Sequence, residues 1–193
     1  MPRDALILDG SGPGEEFAGL LRGLLADGME RLGYRVRSLL LREMKIHHCT
    51  GCFGCWVRTP GVCVIPDEGR DVAREAVRSD LLVFLCPVTF GGYSSELKKA
   101  VDRIVCPMLL PFFERVKGEV RHPPRYEKRP RLLAVGVLPE ADEESARIFS
   151  TLVARNALNL HTPHAAGVIP GGLPDGELRA RIGELLGAAG GAP

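Results

Sequence analysis

Short apolar runs alternate along this chain with longer stretches in which apolar residues recur every three or four positions. A run that is apolar throughout is typical of a strand buried on both faces, as in parallel sheets. The run Asp80–Cys86, with the sequence DLLVFLC, is the clearest example. The pattern predicts five strands, at residues 5–9, 34–40, 80–86, 131–138 and 164–169.

The segments between these runs show the periodicity of amphipathic helices. The first follows a glycine-rich turn, and its apolar residues are Phe17, Leu20, Leu21, Leu24, Leu25 and Met29. The pattern predicts five helices, which begin near residues 17, 66, 95, 142 and 175. Strands that alternate with helices in this way indicate an α/β fold with an open, doubly wound parallel sheet.

Two segments interrupt the alternation of strands and helices. Residues 42–66 hold four of the six cysteines, and residues 107–130 are rich in proline, arginine and aromatic residues. The chain has 193 residues, which is enough for one α/β domain with a sizeable core. We find no internal repeat and no linker, and we interpret residues 1–193 as a single domain with a cysteine-rich and an irregular insertion.

Composition and charge exclude several classes of protein. Lys+Arg is 25 and Asp+Glu is 24, and no basic run is present that would hold nucleic acid through bulk charge. No segment reaches the roughly 18 consecutive apolar residues of a membrane span. The apolar run that follows Asp4 is too short for a signal peptide. We therefore expect a cytoplasmic protein with no nucleic-acid partner and no membrane partner.

Ligands of doubly wound sheets bind beyond the carboxyl ends of the strands, so the loops after the first and third strands are the candidate sites. The first loop consists of Ser11, Gly12, Pro13, Gly14, Glu15, Glu16 and Phe17. Its backbone N–H groups, the start of the next helix and the Ser11 hydroxyl can bind an anion. It lacks the G-x-G-x-x-G pattern, and Glu15 and Glu16 bring negative charge, so an ordinary turn closed by glycines is the alternative.

The loop after the third strand contains Pro87, Val88, Thr89, Phe90, Gly91 and Gly92 and continues to Tyr93. Glycines let a backbone approach a flat ligand closely, and an aromatic side chain can cover one face of that ligand. In the alternative interpretation, Phe90 and Tyr93 pack against a neighbouring element or a second subunit.

The cysteine-rich insertion carries thiols at a spacing that suits a metal site. Cys49, Cys52, Cys55 and Cys63 form two consecutive C-x-x-C steps followed by a seven-residue gap. Thiolates favour zinc or an iron–sulfur cluster, and the alternative is a set of reduced thiols that shape the loop. Cys86 ends an apolar strand and Cys106 follows a helix, and we predict that both are core residues.

Three segments together resemble the NADPH-dependent FMN reductase group of the flavodoxin-like superfamily. They are the first strand with its GS-containing loop, the segment CTGCFGCWVRTPGVCVIPDE from Cys49 to Glu68, and PVTFGGYSSELKKAVDR from Pro87 to Arg103. The second segment resembles the cysteine-bearing members of the group, which include the iron–sulfur flavoproteins. The resemblance covers about residues 5–105.

The resemblance implies a flavodoxin-like fold with strand order 2-1-3-4-5, bound FMN, NAD(P)H as electron donor, and a homodimer or homotetramer. By position, residues 11–17 would hold the FMN phosphate and residues 87–92 would line the flavin. The group usually has an arginine, and a threonine or serine, in the first loop, and an aromatic residue at the position of Thr89. Because Glu15 and Glu16 add negative charge, we expect weaker FMN binding than in relatives with a basic loop, and tighter binding after Glu15→Arg.

The predicted function is that of an FMN-dependent oxidoreductase in which NAD(P)H reduces the flavin and a small-molecule or protein acceptor takes the electrons. Because the isoalloxazine performs the transfer, we name no catalytic side chain. One alternative is an iron–sulfur flavoprotein that carries electrons through a [4Fe–4S] cluster at the four clustered cysteines. Another is a non-catalytic binding module that has lost FMN.

We make one further prediction for each of the two insertions. Pro60 and Gly61 suit positions i+1 and i+2 of a type II turn, so the cysteine-rich loop has its own means of folding. We therefore expect protein handled in air to contain no cluster. Residues 107–130 are partly apolar, and we expect them to pack on a second subunit near the flavin loop.

Overall fold

The computed structural model describes residues 3–116 and 118–190, except for the side chain of Cys106. Its main sheet has five strands: β1 (Arg3–Asp9), β2 (Tyr34–Leu40), β3 (Leu81–Pro87), β6 (Arg131–Leu138) and β7 (His164–Pro170). They are ordered β2-β1-β3-β6-β7, and every neighbouring pair is parallel. The predicted order 2-1-3-4-5 is therefore confirmed, and the predicted strands differ from the observed ones by no more than two residues at either end.

Helices cover both faces of this sheet. They are α1 (Glu16–Arg31), α2 (Gly54–Val57), α3 (Gly69–Arg78), α4 (Ser95–Met108), α5 (Glu143–Asn159) and α6 (Asp175–Gly190). Helices α3, α4 and α5 pack on one face, and α1 and α6 pack on the other. None of the described helices is long and apolar enough to cross a membrane.

Strand β3 shows why an uninterrupted apolar run marks the centre of the sheet. Leu82 and Phe84 belong to the core beneath α4 and α5, whereas Val83 and Leu85 belong to the core beneath α1 and α6. All four side chains are fully buried, because successive side chains on a strand point to opposite faces. Cys86 is also fully buried, as predicted, while the prediction for Cys106 lies outside the described residues.

The prediction that residues 107–130 are irregular is wrong in part. Helix α4 continues to Met108, and a hairpin of β4 (Glu114–Val116) and β5 (Glu119–Arg121) follows, with Gly118 at φ 83° in its turn. Pro107 lies in the last turn of α4, and because proline has no N–H, this turn lacks one helical hydrogen bond. Strands of three residues are too short to show an alternating pattern, so the sequence gives little sign of them.

Candidate functional site

The carboxyl edge of the sheet carries a cleft of about 460 Å³. Its walls come from the loops after four strands, and include Gly14, Glu15, Glu16, Phe17, Pro87, Leu138, Pro139, Gly171 and Gly172. The structure therefore brings residues 14–17 of the first candidate loop together with Pro87 of the second. The cleft walls do not include Ser11, Gly12, Pro13 or residues 88–92.

The two candidate loops are tied to each other at Gly10. The Ser94 hydroxyl donates a hydrogen bond to the Gly10 carbonyl (2.6 Å) and also caps α4 by accepting from the Leu97 N–H (3.3 Å). A side chain at Gly10 would bring its Cβ within 2.6 Å of the Leu97 Cβ. Only glycine allows this approach, so the turn after β1 is fixed against the start of α4.

Glu15 places a carboxylate on the backbone of the first loop. Its Oε2 accepts a hydrogen bond from the Gly12 N–H at 2.8 Å, and Gly14 has a φ of 77° in the turn between them. The loop thus binds an anionic oxygen, as expected of a turn at a helix N-terminus, but the anion is supplied by its own side chain.

Two arginines lie beside this loop, and sequence reasoning assigned neither of them to it. The Arg42 Nη1 donates to the Ser11 Oγ at 3.1 Å, and Arg22 pairs with the fully buried Asp9 at 2.6 Å. Asp9 also accepts from the Ser11 N–H at 2.9 Å. Arg42 follows β2, which neighbours β1 in the predicted strand order, and this adjacency is the signal that could have identified it.

In the second loop, Tyr93 and Phe90 have different environments. Tyr93 packs edge-on against Phe84 and Phe149, and its hydroxyl accepts from the Asn156 Nδ2 at 3.0 Å. Burial raises the pKa of Tyr93 to about 12. Phe90 is fully exposed and has a φ of 50°, in the left-handed region that is uncommon for residues other than glycine. The core-packing interpretation therefore holds for Tyr93, whereas Phe90 is open to a ligand or a partner.

The four clustered cysteines differ in their exposure. Cys49 and Cys52 are exposed, Cys63 is half-buried and Cys55 is buried. The Gly54 N–H and the Thr50 hydroxyl lower the pKa of the Cys52 thiol from its ordinary value. Within residues 3–116 and 118–190, no three histidine, cysteine or carboxylate side chains are grouped so that they could hold a metal ion. This arrangement does not fit a four-cysteine cluster.

The loop that carries these cysteines has its own hydrogen bonds. The Val62 N–H donates to the Thr59 carbonyl at 2.8 Å and Gly61 has a φ of 85°, which confirms the predicted type II turn at Pro60–Gly61. The Trp56 Nε1 donates to the Leu109 carbonyl at 3.1 Å. The indole also packs against His122, with ring centroids 4.7 Å apart, and so joins the two insertions.

A buried ion pair connects the two ends of the cysteine-rich segment to each other, and it was not predicted from the sequence. Arg103 on α4 donates to both carboxylate oxygens of Asp67, at 2.6 and 3.0 Å, and to the His47 carbonyl at 2.9 Å. Asp67 accepts in turn from the His47 N–H at 2.8 Å. Burial alone would raise the pKa of Asp67, but Arg103 and His47 hold the pKa of that carboxyl well below its usual range.

Comparison with known protein families gives a match over most of the chain. The family described as NADPH-dependent FMN reductase matches residues 5–134. An iron-sulfur flavoprotein from Archaeoglobus fulgidus is 29% identical over 77 residues, which are 40% of this chain and 34% of that protein. The match therefore spans only about a third of that relative's length.

Two solved structures show the same fold at low identity. An NAD(P)H:quinone oxidoreductase from Methanothermobacter marburgensis has a TM-score of 0.72 and 12% identity, covering 95% of this chain and 97% of its own. An FMN-dependent NADH-azoreductase from Bacillus anthracis, solved in complex with FMN, has a TM-score of 0.66 and 11% identity, covering 97% of this chain and 98% of its own.

Proposed function

Because this chain belongs to the NADPH-dependent FMN reductase family, we propose that it is an FMN-dependent oxidoreductase with NAD(P)H as its electron donor. Bound FMN would supply the redox chemistry, which is hydride acceptance from NAD(P)H and electron transfer to a small-molecule or protein acceptor. The side chains of this chain bind and orient the two cofactors. The observation that carries the proposal is a first loop whose Gly12 N–H already binds an anionic oxygen, supplied by Glu15 from the cleft wall.

We place the FMN phosphate at residues 11–17 and the flavin ring against residues 87–92. The Gly12 N–H supports this placement, because it now donates at 2.8 Å to the Glu15 carboxylate, a group that resembles a phosphate oxygen. In this proposal the Glu15 side chain turns away from the Gly12 N–H when the phosphate binds. Arg42 at the Ser11 hydroxyl then supplies the positive charge that the first loop itself lacks.

Phe90 is the aromatic residue that we propose for one face of the flavin. Thr89 stands where the family usually has an aromatic residue, but the next side chain along the loop is fully exposed. Its neighbour Gly91 has a φ of 73°, and a Cβ there would lie 2.5 Å from the Ile148 side chain, so the loop is held closely against α5. An exposed phenylalanine on a fixed loop is suited to cover a flat ligand.

We propose that the protein acts as a homodimer or homotetramer. Phe112 and Tyr126 of the second insertion are 64% and 41% exposed. Exposed apolar side chains close together usually mark a contact surface. A second subunit packed on this insertion would cover them.

The iron–sulfur electron carrier is the second candidate function. The match to an iron-sulfur flavoprotein favours it, and this chain retains four cysteines in the compact spacing. The exposure of Cys49 and Cys52, and the lack of a grouping of three metal-ligating side chains within the described residues, favour the flavin-only enzyme instead.

Binding of FMN and of riboflavin, which lacks the phosphate, tests the placement. We expect the wild-type protein to bind both flavins, and Arg42→Gln to weaken FMN binding by about tenfold while leaving riboflavin unchanged, because a charge-assisted contact is lost. The exposed Arg37 pairs with Glu75 outside the site, so Arg37→Gln is a matched control. Equal losses for both flavins in Arg42→Gln would show that the phosphate binds elsewhere.

A further inference from the structure

A second cavity lies on the other side of the molecule from the flavin cleft. It has a volume of about 170 Å³ and is enclosed by α4, α5 and the β4–β5 hairpin. The hairpin segment leads from the end of α4 into the start of β6, so the cavity lies towards the amino ends of the strands. Its walls include no residue of the loops 11–17 and 87–92.

Arg121 projects from the hairpin into this cavity and is poorly paired. Its side chain is only 8% exposed, and its Nε is buried without a hydrogen-bond partner. The nearest carboxylate is that of Glu119, at 3.8 Å from the Arg121 Nη2. Arg155 already holds Glu119 through two hydrogen bonds of 3.0 Å, so this carboxylate is shared.

A buried guanidinium without good hydrogen bonds destabilises a protein. Among the described residues, no acidic side chain lines the cavity. The other polar groups in its walls are His122, Asn156 and Asn159. The cavity wall therefore presents the Arg121 guanidinium beside these polar groups, and the Glu119 carboxylate, which also pairs with Arg155, lies outside the wall.

The rest of the wall is apolar and limits the size of an occupant. It is formed by Phe84, Val101, Ile104, Val105, Leu109, Phe113, Val120 and Leu160. An apolar cavity of roughly 150 Å³ is large enough to bind benzene. Phe113 and Val120 are 74% and 60% exposed, so apolar side chains also form the rim through which a ligand would enter.

We propose that this cavity is a binding site for a small organic carboxylate with an apolar body about the size of a phenyl ring. The carboxylate pairs with the Arg121 guanidinium, and the apolar body lies against Val105 of α4 and Val120 of β5. The proposal does not depend on the flavin site, because the two cavities share no wall residue.

Benzoate and benzamide are suitable probes, because they share a ring and nearly the same shape but only benzoate is charged. We expect benzoate to bind the wild-type protein, measured by calorimetry, about tenfold more tightly than benzamide. Arg121→Gln should remove that preference and leave benzamide binding unchanged. Arg115 is exposed on the neighbouring strand β4, so Arg115→Gln should bind benzoate like the wild-type protein.

A second measurement needs no variant and therefore decides the case even if Arg121→Gln misfolds. In NMR spectra of the wild-type protein, benzoate should shift the side-chain amide resonances of Asn156 and Asn159, which line the cavity. Absence of these shifts up to about 20 mM benzoate would overturn the proposal, since even a millimolar site would then be occupied. Equal affinities for benzoate and benzamide would overturn it as well.

Sedimentation separates this proposal from one in which a second subunit supplies the anion. If Arg121→Gln dissociates an oligomer but keeps the preference for benzoate, the guanidinium pairs with an anion of the second subunit. The small-molecule site is then refuted. If the variant keeps its sedimentation coefficient and loses the preference, the small-molecule site is supported.

Discussion

At the scale of single residues, the contact between Glu15 and the Gly12 N–H lies in the loop that we propose for the FMN phosphate. The Glu15 Oε2 lies 2.8 Å from the Gly12 nitrogen, so in the proposed site the FMN phosphate would have to displace this carboxylate. We predict that Glu15→Arg tightens FMN binding by at least about tenfold, because it removes a competing anion and adds a cation. Fluorescence titration with FMN and with riboflavin measures the effect.

Glu30 provides the control for this charge reversal. It is exposed near the other end of α1, so Glu30→Arg changes the net charge equally without touching the loop. Its FMN affinity should match that of the wild-type protein. Unchanged or weaker FMN binding in Glu15→Arg would show that the carboxylate does not compete with the phosphate.

Arg42 and Arg103 show what the sequence could not reveal at this scale. Each is distant in sequence from the residue it contacts, since Arg42 reaches Ser11 and Arg103 reaches Asp67. Loop residues 11–17 could be identified because a glycine-rich turn directly follows a strand. A long-range polar contact leaves no comparable periodic or local pattern. Arg103 could therefore be assigned only from the folded chain, and the sequence signal for Arg42 is limited to the predicted adjacency of β1 and β2.

At the scale of elements, Asp67 closes the cysteine-rich segment against α4. Removing one partner of a buried ion pair leaves the other uncompensated, so we predict that Asp67→Asn lowers the free energy of unfolding by about 3 kcal/mol or more. Asp71 pairs with Arg74 on the surface of α3, and Asp71→Asn should have little effect. Urea denaturation at neutral pH measures both.

The stability difference between the wild-type protein and Asp67→Asn should depend on pH. The pKa of Asp67 in the folded protein lies well below its ordinary value of 3.8, so the folded state stays ionised where the unfolded chain takes up a proton. The contribution of the Asp67 ion pair to the free energy of unfolding is therefore complete above the ordinary pKa of 3.8. It is lost as the pH falls from there towards the folded-state pKa. A difference that grows on acidification would contradict this account.

The cysteine-rich segment yields a prediction about metal content. Its type II turn, the Trp56 hydrogen bond and the Arg103 ion pair order the loop through protein contacts alone. We predict that protein purified under anaerobic conditions contains iron and acid-labile sulfide well below the level of one cluster per chain. About four irons per chain, lost together in Cys52→Ser, would instead establish the electron carrier.

The elements that the sequence predicted best are those with the strongest local pattern. Strands β2 and β6 have the predicted bounds, and the helices begin within about three residues of the expected positions. The hairpin of β4 and β5 was missed because each strand has three residues. Its pairing depends on a turn, and Glu119 of β5 is held by Arg155 of α5, neither of which periodicity reports.

At the scale of the whole molecule, the exposed aromatic residues of the second insertion predict self-association. We predict that the wild-type protein sediments as a dimer or tetramer at micromolar concentration, and that Phe112→Ser together with Tyr126→Ser shifts it towards the monomer, because apolar surface is lost from the contact. Leu20 on α1 is 49% exposed far from the insertion, so Leu20→Ser is a control that should leave the sedimentation coefficient unchanged. A monomeric wild-type protein would refute the oligomer.

Anaerobic reduction of the FMN-loaded protein tests the central claim most directly. The protein is incubated with FMN, freed of unbound flavin and titrated with NADPH and with NADH while its visible spectrum is recorded. We predict that flavin remains with the protein, that at least one of the two donors bleaches its absorption, and that an added acceptor restores it. A colourless protein that retains no FMN, or bound flavin that neither donor reduces, would contradict the assignment as an FMN-dependent oxidoreductase.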